Sequence, residues 1–206
     1  MASIQQRFDR LLSCCRDLYE ATPDLRDFAS WPGELQFAVP EAVIVPAIDL
    51  VKGWKNHHPV HLALQDVADI AAWQRSYTEN QVGQQFMKSY GFIELFGPTG
   101  HYLTADVRAF IGYWGAGLAY DWHQHEAEEI YFVVSGGALF RAQGEADRYL
   151  GPGETRQHKS NQPHAITMTD EPLLAFAMWR GPGMADPTSQ ANRFSDWSAG
   201  SQPEIG

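Results

Sequence analysis

Cysteine, positive charge and long apolar stretches are all scarce in this sequence of 206 residues. The only cysteines, Cys14 and Cys15, are adjacent and cannot readily adopt disulfide geometry, which excludes a disulfide scaffold. Two buried thiols on a helix is the simpler interpretation, and a redox or metal role is the alternative. The formal net charge of −10 argues against nucleic acid as a partner. A run of about 18 apolar residues is missing, which argues against a membrane partner.

The N-terminal half is predicted to be helical and irregular. Residues 1–20 carry apolar side chains at three- and four-residue spacing, and Pro23 follows as a helix terminator. Charges interrupt this segment, so it lacks the apolar centre of a signal peptide, and we expect a cytoplasmic protein. The stretch 24–60 is rich in proline and aromatic residues and is predicted to wrap irregularly over the rest. Helical character is predicted again from 62 to about 90.

The second half is predicted to be β-structure, because short runs of Val, Ile, Phe, Tyr and Trp alternate with glycine-containing turns. Such strands at this spacing are typical of a sandwich or barrel. We predict one domain over 1–206, with an N-terminal region 1–97 packed on a barrel 98–182, and a tail 183–206 partly ordered against it. The predicted strands cover 106–114, 117–123, 128–135, 137–143, 147–150, 154–158, 163–169 and 173–180.

Two histidines and one glutamate form the motif that carries the chemistry. His123 and His125 are two residues apart, so on a strand both rings point to the same face. Glu129 follows after a tight turn and can return to that face. Two imidazoles and a carboxylate are ligands for a divalent first-row metal, and they leave coordination positions open. His164, on a strand after a proline-fixed turn, is the predicted fourth ligand, with His158 as the alternative.

A second histidine group, His57, His58 and His61, lies in the irregular region. A second metal site is one interpretation of this group, and a solvated loop is the simpler one.

The spacing of these residues resembles the first motif of the cupin superfamily. That motif reads Gly-x5-His-x-His-x3-Glu-x6-Gly, and residues 117–136 match it at every fixed position. The second motif matches more loosely: Pro163 and His164 are present, while Met168 replaces the usual Asn. The resemblance implies a mainly β fold, a cupin barrel (double-stranded β-helix or jelly roll) preceded by an α-helical N-terminal region. Cupins often pair, so a homodimer is considered.

Tyrosines flank the ligands on both sides. Tyr131 lies two residues beyond Glu129 and shares its inward face, whereas Ile130 and Phe132 point away. Tyr120 lies three residues before His123, so simple alternation would face it outward, and a bulge near Asp121 is needed to bring it in. Tyr131 is therefore expected beside the metal.

The acidic chain, the helical first half and the segment YDWHQHEAEEIYFVVSG together resemble the cupin-type dimethylsulfoniopropionate lyases of marine bacteria. The resemblance extends over most of the chain. It implies β-elimination, in which dimethylsulfoniopropionate gives dimethyl sulfide and acrylate. The small-molecule substrate has a carboxylate, a weakly acidic Cα–H and a sulfonium leaving group on Cβ. One divalent transition metal, Zn, Fe, Mn, Ni or Co, is the expected cofactor.

Physical chemistry assigns roles to the residues around the metal. A phenol with a pKa near ~10 is a poor base at neutral pH, but a divalent cation nearby favours the phenolate. Tyr131 is therefore the candidate base, with Tyr120 and His123 as helpers that orient the base or the substrate. Aromatic faces attract a sulfonium, and the predicted cage, in descending order, is Trp122, Trp179, Tyr120 and Trp54.

Two other functions share this motif. An Fe(II) dioxygenase acting on a small carboxylic acid would use the same ligands, and the paired tyrosines favour the lyase over it. A non-catalytic small-molecule-binding cupin is the second alternative, although residues 1–90 contain no basic helix or signalling motif.

Overall fold

The computed structural model describes residues 2–39 and 41–184 and the backbone of 192–193. Its helices are α1 Ile4–Ala21, α2 Pro23–Phe28, α3 Ala47–Gly53, α4 Pro59–Val67, α5 Glu79–Val82 and α6 Gln84–Lys88. The helix predicted over 1–20 is confirmed by α1, which begins at a capping box between Ser3 and Gln6. Within the described residues, none of the helices is both long and apolar enough to cross a membrane.

The helical character predicted from 62 to about 90 is confirmed in part, by α4, α5 and α6. It is not continuous, because α4 ends at Val67, α5 and α6 are short, and Gly83, at φ 81°, separates them. A strand then begins at Tyr90, and all of its residues are buried. A short apolar run buried on both faces has no alternation, so its periodicity does not distinguish strand from helix.

In the part of the chain that the structure describes, twelve strands form two sheets. The eight predicted strands are confirmed to within a few residues, and β1, β2, β3 and β12 were not predicted. The strands are β1 Gln36–Phe37, β2 Tyr90–Gly97, β3 Tyr102–Leu103, β4 Arg108–Trp114, β5 Ala119–Gln124, β6 Glu128–Gly136, β7 Ala138–Ala142, β8 Arg148–Leu150, β9 Thr155–His158, β10 His164–Thr167, β11 Leu173–Arg180 and β12 Asn192–Arg193.

The strand order is that of a cupin barrel. One sheet runs β1-β3-β2-β4-β11-β6-β9 and the other runs β12-β5-β10-β7-β8. From β4 onward the chain crosses between the sheets at every step except β7 to β8. The fold-class prediction, a mainly β cupin barrel preceded by α-helices, is confirmed. The single domain stays a prediction, although β2 shows that the sheet begins before residue 98. Of the tail 183–206, residues 185–191 and 194–206 lie outside the described residues.

The seven-stranded sheet has two chemically different faces. Its outer face packs against the N-terminal helices with large aliphatic and aromatic side chains, such as Ile130, Phe132 and Phe176. Its inner face looks into the barrel and carries Tyr131, Trp179 and several small residues. Alternation along each strand separates the two sets, so helix packing and site chemistry use different side chains of the same strands.

Candidate metal centre and substrate cavity

Three histidines converge inside the barrel. His123 lies on β5, His125 directly follows that strand, and His164 begins β10 opposite His123. Each is at most 3% exposed, and one ligand nitrogen from each lies within 4.8 Å of the others. The sequence motifs therefore meet in space, and these three residues form a buried group that could hold a metal ion.

Backbone carbonyls orient all three rings. The Nδ1 atoms of His123, His125 and His164 lie 2.8 Å from the carbonyl oxygens of residues 121, 127 and 162, respectively. A carbonyl only accepts, so each Nδ1 carries the proton and each Nε2 presents a lone pair. A hydrogen bond from Nδ1–H to a carbonyl commonly fixes the tautomer and the orientation of a histidine that binds metal through Nε2.

Glu129 adds a carboxylate to the group. Its Oε2 lies 3.2 Å from Nε2 of His125 and 3.3 Å from Nε2 of His164. Its Oε1 accepts a 2.7 Å hydrogen bond from the indole Nε1–H of Trp179. Burial raises the pKa of Glu129, whereas the His125 and His164 rings, when they carry a proton on Nε2, lower it well below its usual range. A cation in place of those protons would stabilise the ionised carboxylate in the same way.

The donor set fits a divalent cation. Burial and the neighbouring His164 and His125 lower the pKa of His123 well below its usual range, so His123 is neutral, as a ligand must be. The Nε2 of His164 is buried and has no hydrogen-bond partner within the described ranges. Three imidazole lone pairs and a carboxylate at short range repel one another unless a cation lies between them. Nitrogen and oxygen ligands of this kind suit Zn, Fe, Mn, Ni or Co.

The other histidines lie outside this group. His158, the alternative fourth ligand, is fully buried and stacks on His164 with ring centroids 4.1 Å apart. Burial lowers its pKa well below the usual range, but its ring nitrogens do not converge with the other three. His61 lies on the outer face with Nδ1 3.2 Å from Oγ of Ser135, and His58 caps helix α4. In the described part of the chain, the group predicted around His57 makes no metal cluster.

Tyr120 reaches the inner face through a β-bulge. On β10, two steps separate His164 from Ile166, while three steps on β5 separate their partners His123 and Tyr120. One extra residue is thus accommodated on β5, as predicted near Asp121. The Tyr120 ring is buried and packs 4.4 Å from the His123 ring. Burial and nearby tyrosines raise its pKa well above the usual range.

Tyr131 lies on the inner face two residues after Glu129. Its ring is buried, and the hydroxyl interacts with the Glu129 carboxylate. Burial, then the charge and hydrogen bonding of Glu129, raise the pKa of Tyr131 well above its usual range. The protein side chains alone therefore keep the phenol protonated.

The three tryptophans predicted for a sulfonium cage fall in different places. Trp179 lines the cavity, stacks on His125 at 4.1 Å and donates to Glu129. Trp122 is half-buried and is not among the residues that line the cavity. Trp54 packs on the outer face against His61 at 4.8 Å. The prediction that Trp122 and Trp54 belong to the sulfonium cage is therefore corrected. The bulge that turns Tyr120 inward leaves Trp122 outside the cavity lining, and Trp54 lies on the other side of the sheet.

The cavity contains aromatic residues that the sequence did not single out. Phe110, Gly112 and Trp114 follow one another at every second position of β4, so they share the inner face. That alternation along the predicted strand 106–114 could have identified these residues from the sequence. Tyr90 and Phe92 from β2, and Ser76 from the segment between α4 and α5, were missed because no strand was predicted there. The cavity is lined by Ser76, Tyr90, Phe92, Phe110, Gly112, Trp114, Tyr120, His123, His125, Glu129, Tyr131, Ala177 and Trp179.

Comparison with known proteins gives consistent relatives. Residues 42–175 match the sequence family described as dimethylsulfoniopropionate lyase. The dimethylsulfoniopropionate lyase DddQ of Ruegeria pomeroyi is 32% identical over 186 residues, which cover 88% of this chain and 92% of that protein.

Two crystal structures of such enzymes superpose on this chain. A structure reported for the lyases RdDddP and RnDddQII is 43% identical, has a TM-score of 0.86, and is matched over 89% of this chain and 97% of its own. The structure of DddQ from Ruegeria pomeroyi is 31% identical with a TM-score of 0.78, over 85% of this chain and 92% of its own.

Proposed function

The chain belongs to the dimethylsulfoniopropionate lyase family, a family of carbon–sulfur lyases, and we propose that it splits dimethylsulfoniopropionate by metal-dependent, tyrosine-initiated β-elimination. The observation that carries the proposed mechanism is the position of Tyr131. Its hydroxyl lies beside Glu129, next to the histidine group and inside an aromatic cavity.

The proposed reaction moves one proton and one electron pair. The Tyr131 oxygen, as phenolate, takes the proton from Cα. The Cα–H electrons form the Cα=Cβ bond, and the Cβ–S bond breaks with its pair on sulfur. The products are acrylate and dimethyl sulfide, and the proton stays on Tyr131.

His123, His125, His164 and Glu129 would hold the metal. Bound there, a divalent ion supplies positive charge that stabilises the developing charge near the substrate carboxylate and favours the Tyr131 phenolate. This second effect matters because burial and Glu129 raise the pKa of Tyr131. The Trp179 indole holds the Glu129 carboxylate, and the Tyr120 ring supports His123 from its side.

Aromatic rings are proposed to receive the sulfonium. Tyr120 and Trp179 keep this role from the sequence prediction, and Phe110 and Tyr90 join them in the cavity wall. Lys and Arg are missing from the described lining, so no cationic side chain opposes the sulfonium. Each aromatic face contributes about 0.5–2 kcal/mol to cation binding, depending on desolvation.

The direct test is release of dimethyl sulfide. We expect purified protein loaded with Zn, Fe, Mn or Co to produce headspace dimethyl sulfide and an equal amount of acrylate from dimethylsulfoniopropionate. No product with any of these metals would refute the proposal. Oxygen uptake by the Fe(II)-loaded protein would instead support the dioxygenase, because elimination consumes no oxygen.

Cytoplasmic location and a homodimer belong to the same proposal. Cell fractionation tests the location, and sedimentation of the metal-loaded protein tests the dimer. Recovery in the periplasm, or a single monomer species, would contradict them.

A further inference from the structure

The indole of Trp114, a residue of the cavity wall, carries a donor with no partner among the described residues. Trp114 ends β4 on the inner face, lines the cavity and is 5% exposed. Its Nε1 is buried and has no hydrogen-bond partner among the described residues. A buried donor without a partner destabilises a protein, because it has lost its hydrogen bond to water and gained none in return. Such a group in a cavity wall needs a partner that the protein itself does not provide.

Gly112 explains why the ring lies there. A Cβ on Gly112 would stand 2.4 Å from Cη2 and 2.6 Å from Cζ3 of Trp114. The indole therefore occupies the space that any other residue at position 112 would fill. The ring is held with its centroid 5.7 Å from that of Tyr120 and 6.3 Å from that of Tyr131. The unpaired donor thus belongs to a ring positioned beside both tyrosines.

The chemistry of the donor selects its ligand. An indole N–H only donates, so its partner must be an acceptor. Dimethylsulfoniopropionate has one acceptor group, the carboxylate, and its sulfonium offers none. The described lining also lacks Lys and Arg, the usual partners of a carboxylate. Resting on the proposed function, we infer that Trp114 donates its indole N–H to the substrate carboxylate and that Gly112 sets the ring position this requires.

This contact would fix which end of the substrate lies where. With the carboxylate at Trp114, the neighbouring Cα lies toward Tyr131, and the sulfonium extends toward the other aromatic rings. The carboxylate is ionised in the bound substrate as well as in the transition state, so the hydrogen bond contributes to the binding of both. Its loss should therefore raise KM more than it lowers kcat.

The test compares two fragments of the substrate on Trp114→Phe, which keeps an aromatic ring and removes the N–H. Calorimetry on metal-loaded protein measures the affinity of acrylate, which has the carboxylate, and of ethyldimethylsulfonium, which has the sulfonium. We expect acrylate to bind about 10- to 100-fold more weakly, as for a lost hydrogen bond to a charged group, and ethyldimethylsulfonium to change less than about twofold. Equal weakening of both, or no weakening of acrylate, would refute the inference.

Gly112→Ala provides a second variant if Trp114→Phe does not fold. It retains the N–H but its Cβ displaces the ring, so acrylate affinity should fall here as well. Unchanged acrylate affinity in this variant would overturn the role of Gly112. The two proposals fail separately. Wild type that releases no dimethyl sulfide refutes the proposed function, whereas active wild type whose variants bind acrylate normally refutes only the Trp114 contact.

Discussion

The two faces of the seven-stranded sheet use the same strands for opposite purposes. On β6 and β11, the outer residues, such as Phe132 and Phe176, are large and closely packed against the helices. The inner residues include Ala175 and Ala177, which leave space, and Tyr131, whose hydroxyl faces a carboxylate. The outer face is built for stability, whereas the inner face keeps polar groups buried where packing alone would favour aliphatic ones.

The largest effect, a loss of kcat, is expected from removing the hydroxyl oxygen of Tyr131 on the inner face. Tyr131→Phe should lower kcat by about 10²–10⁴-fold, the usual contribution of a general base. Its free energy of unfolding and its metal content should stay close to wild type, because the ring remains. Headspace assays and metal analysis measure both. Metal lost together with activity would make Tyr131 a ligand and contradict its assignment as the base.

A substitution on the outer face should lower stability and leave activity nearly unchanged. Phe176 is fully buried against the helices, so Phe176→Ala should lower the free energy of unfolding by about 3–5 kcal/mol. Activity per folded molecule should remain within about twofold. Urea denaturation followed by activity assays tests this, with Phe176→Leu as the milder control. A large loss of kcat in folded Phe176→Ala would show that the faces are coupled.

A matched pair of tryptophans sharpens the comparison. Trp179 donates to Glu129 on the inner face, and Trp73 donates to the Ala68 carbonyl on the outer side. Trp179→Phe should weaken metal binding by about 10- to 100-fold, the usual effect of removing a hydrogen bond that orients a metal ligand, here Glu129. Trp73→Phe should reduce stability and leave metal affinity unchanged. Competition with a chelator measures both affinities, and equal loss in the two variants would refute the role of Trp179.

The smallest expected effect is on the pH dependence of stability, through His101, which packs against helix α1 on the outer side. Burial lowers the pKa of His101 from 6.5 to about 4, and its ring packs 4.3 Å from that of Phe8. Between these values the unfolded chain binds a proton that the folded chain excludes, so stability is present above pH 6.5 and is lost as pH falls. His101 should account for about 1–2 kcal/mol of destabilisation by pH 5.

His101→Phe should therefore flatten the decline in unfolding free energy between pH 6.5 and 5, measured with urea. The exposed His57 supplies the control, since His57→Gln removes a ring already in contact with solvent. An unchanged pH dependence in His101→Phe would contradict the assignment.

The sequence predicted what depends on spacing and failed where three-dimensional packing decides. The ligand motif, the later strands and the bulge before His123 follow from local alternation, so they could be inferred. Strand β2 could not, because a fully buried apolar run has no period that separates it from a helix. Trp54 and Trp122 were misplaced for a related reason. An aromatic residue in an irregular segment, or beside a bulge, has no alternation that fixes its facing.

Each carbonyl that orients a ligand histidine lies only two residues away along the chain. The rotational freedom of His123, His125 and His164 is therefore given up when the strands form. Fixing a side chain requires up to about 2 kcal/mol of conformational entropy, and here folding has already met that requirement. An arriving ion would find its imidazoles pre-set, so its binding entropy would be governed by the release of its own hydration water.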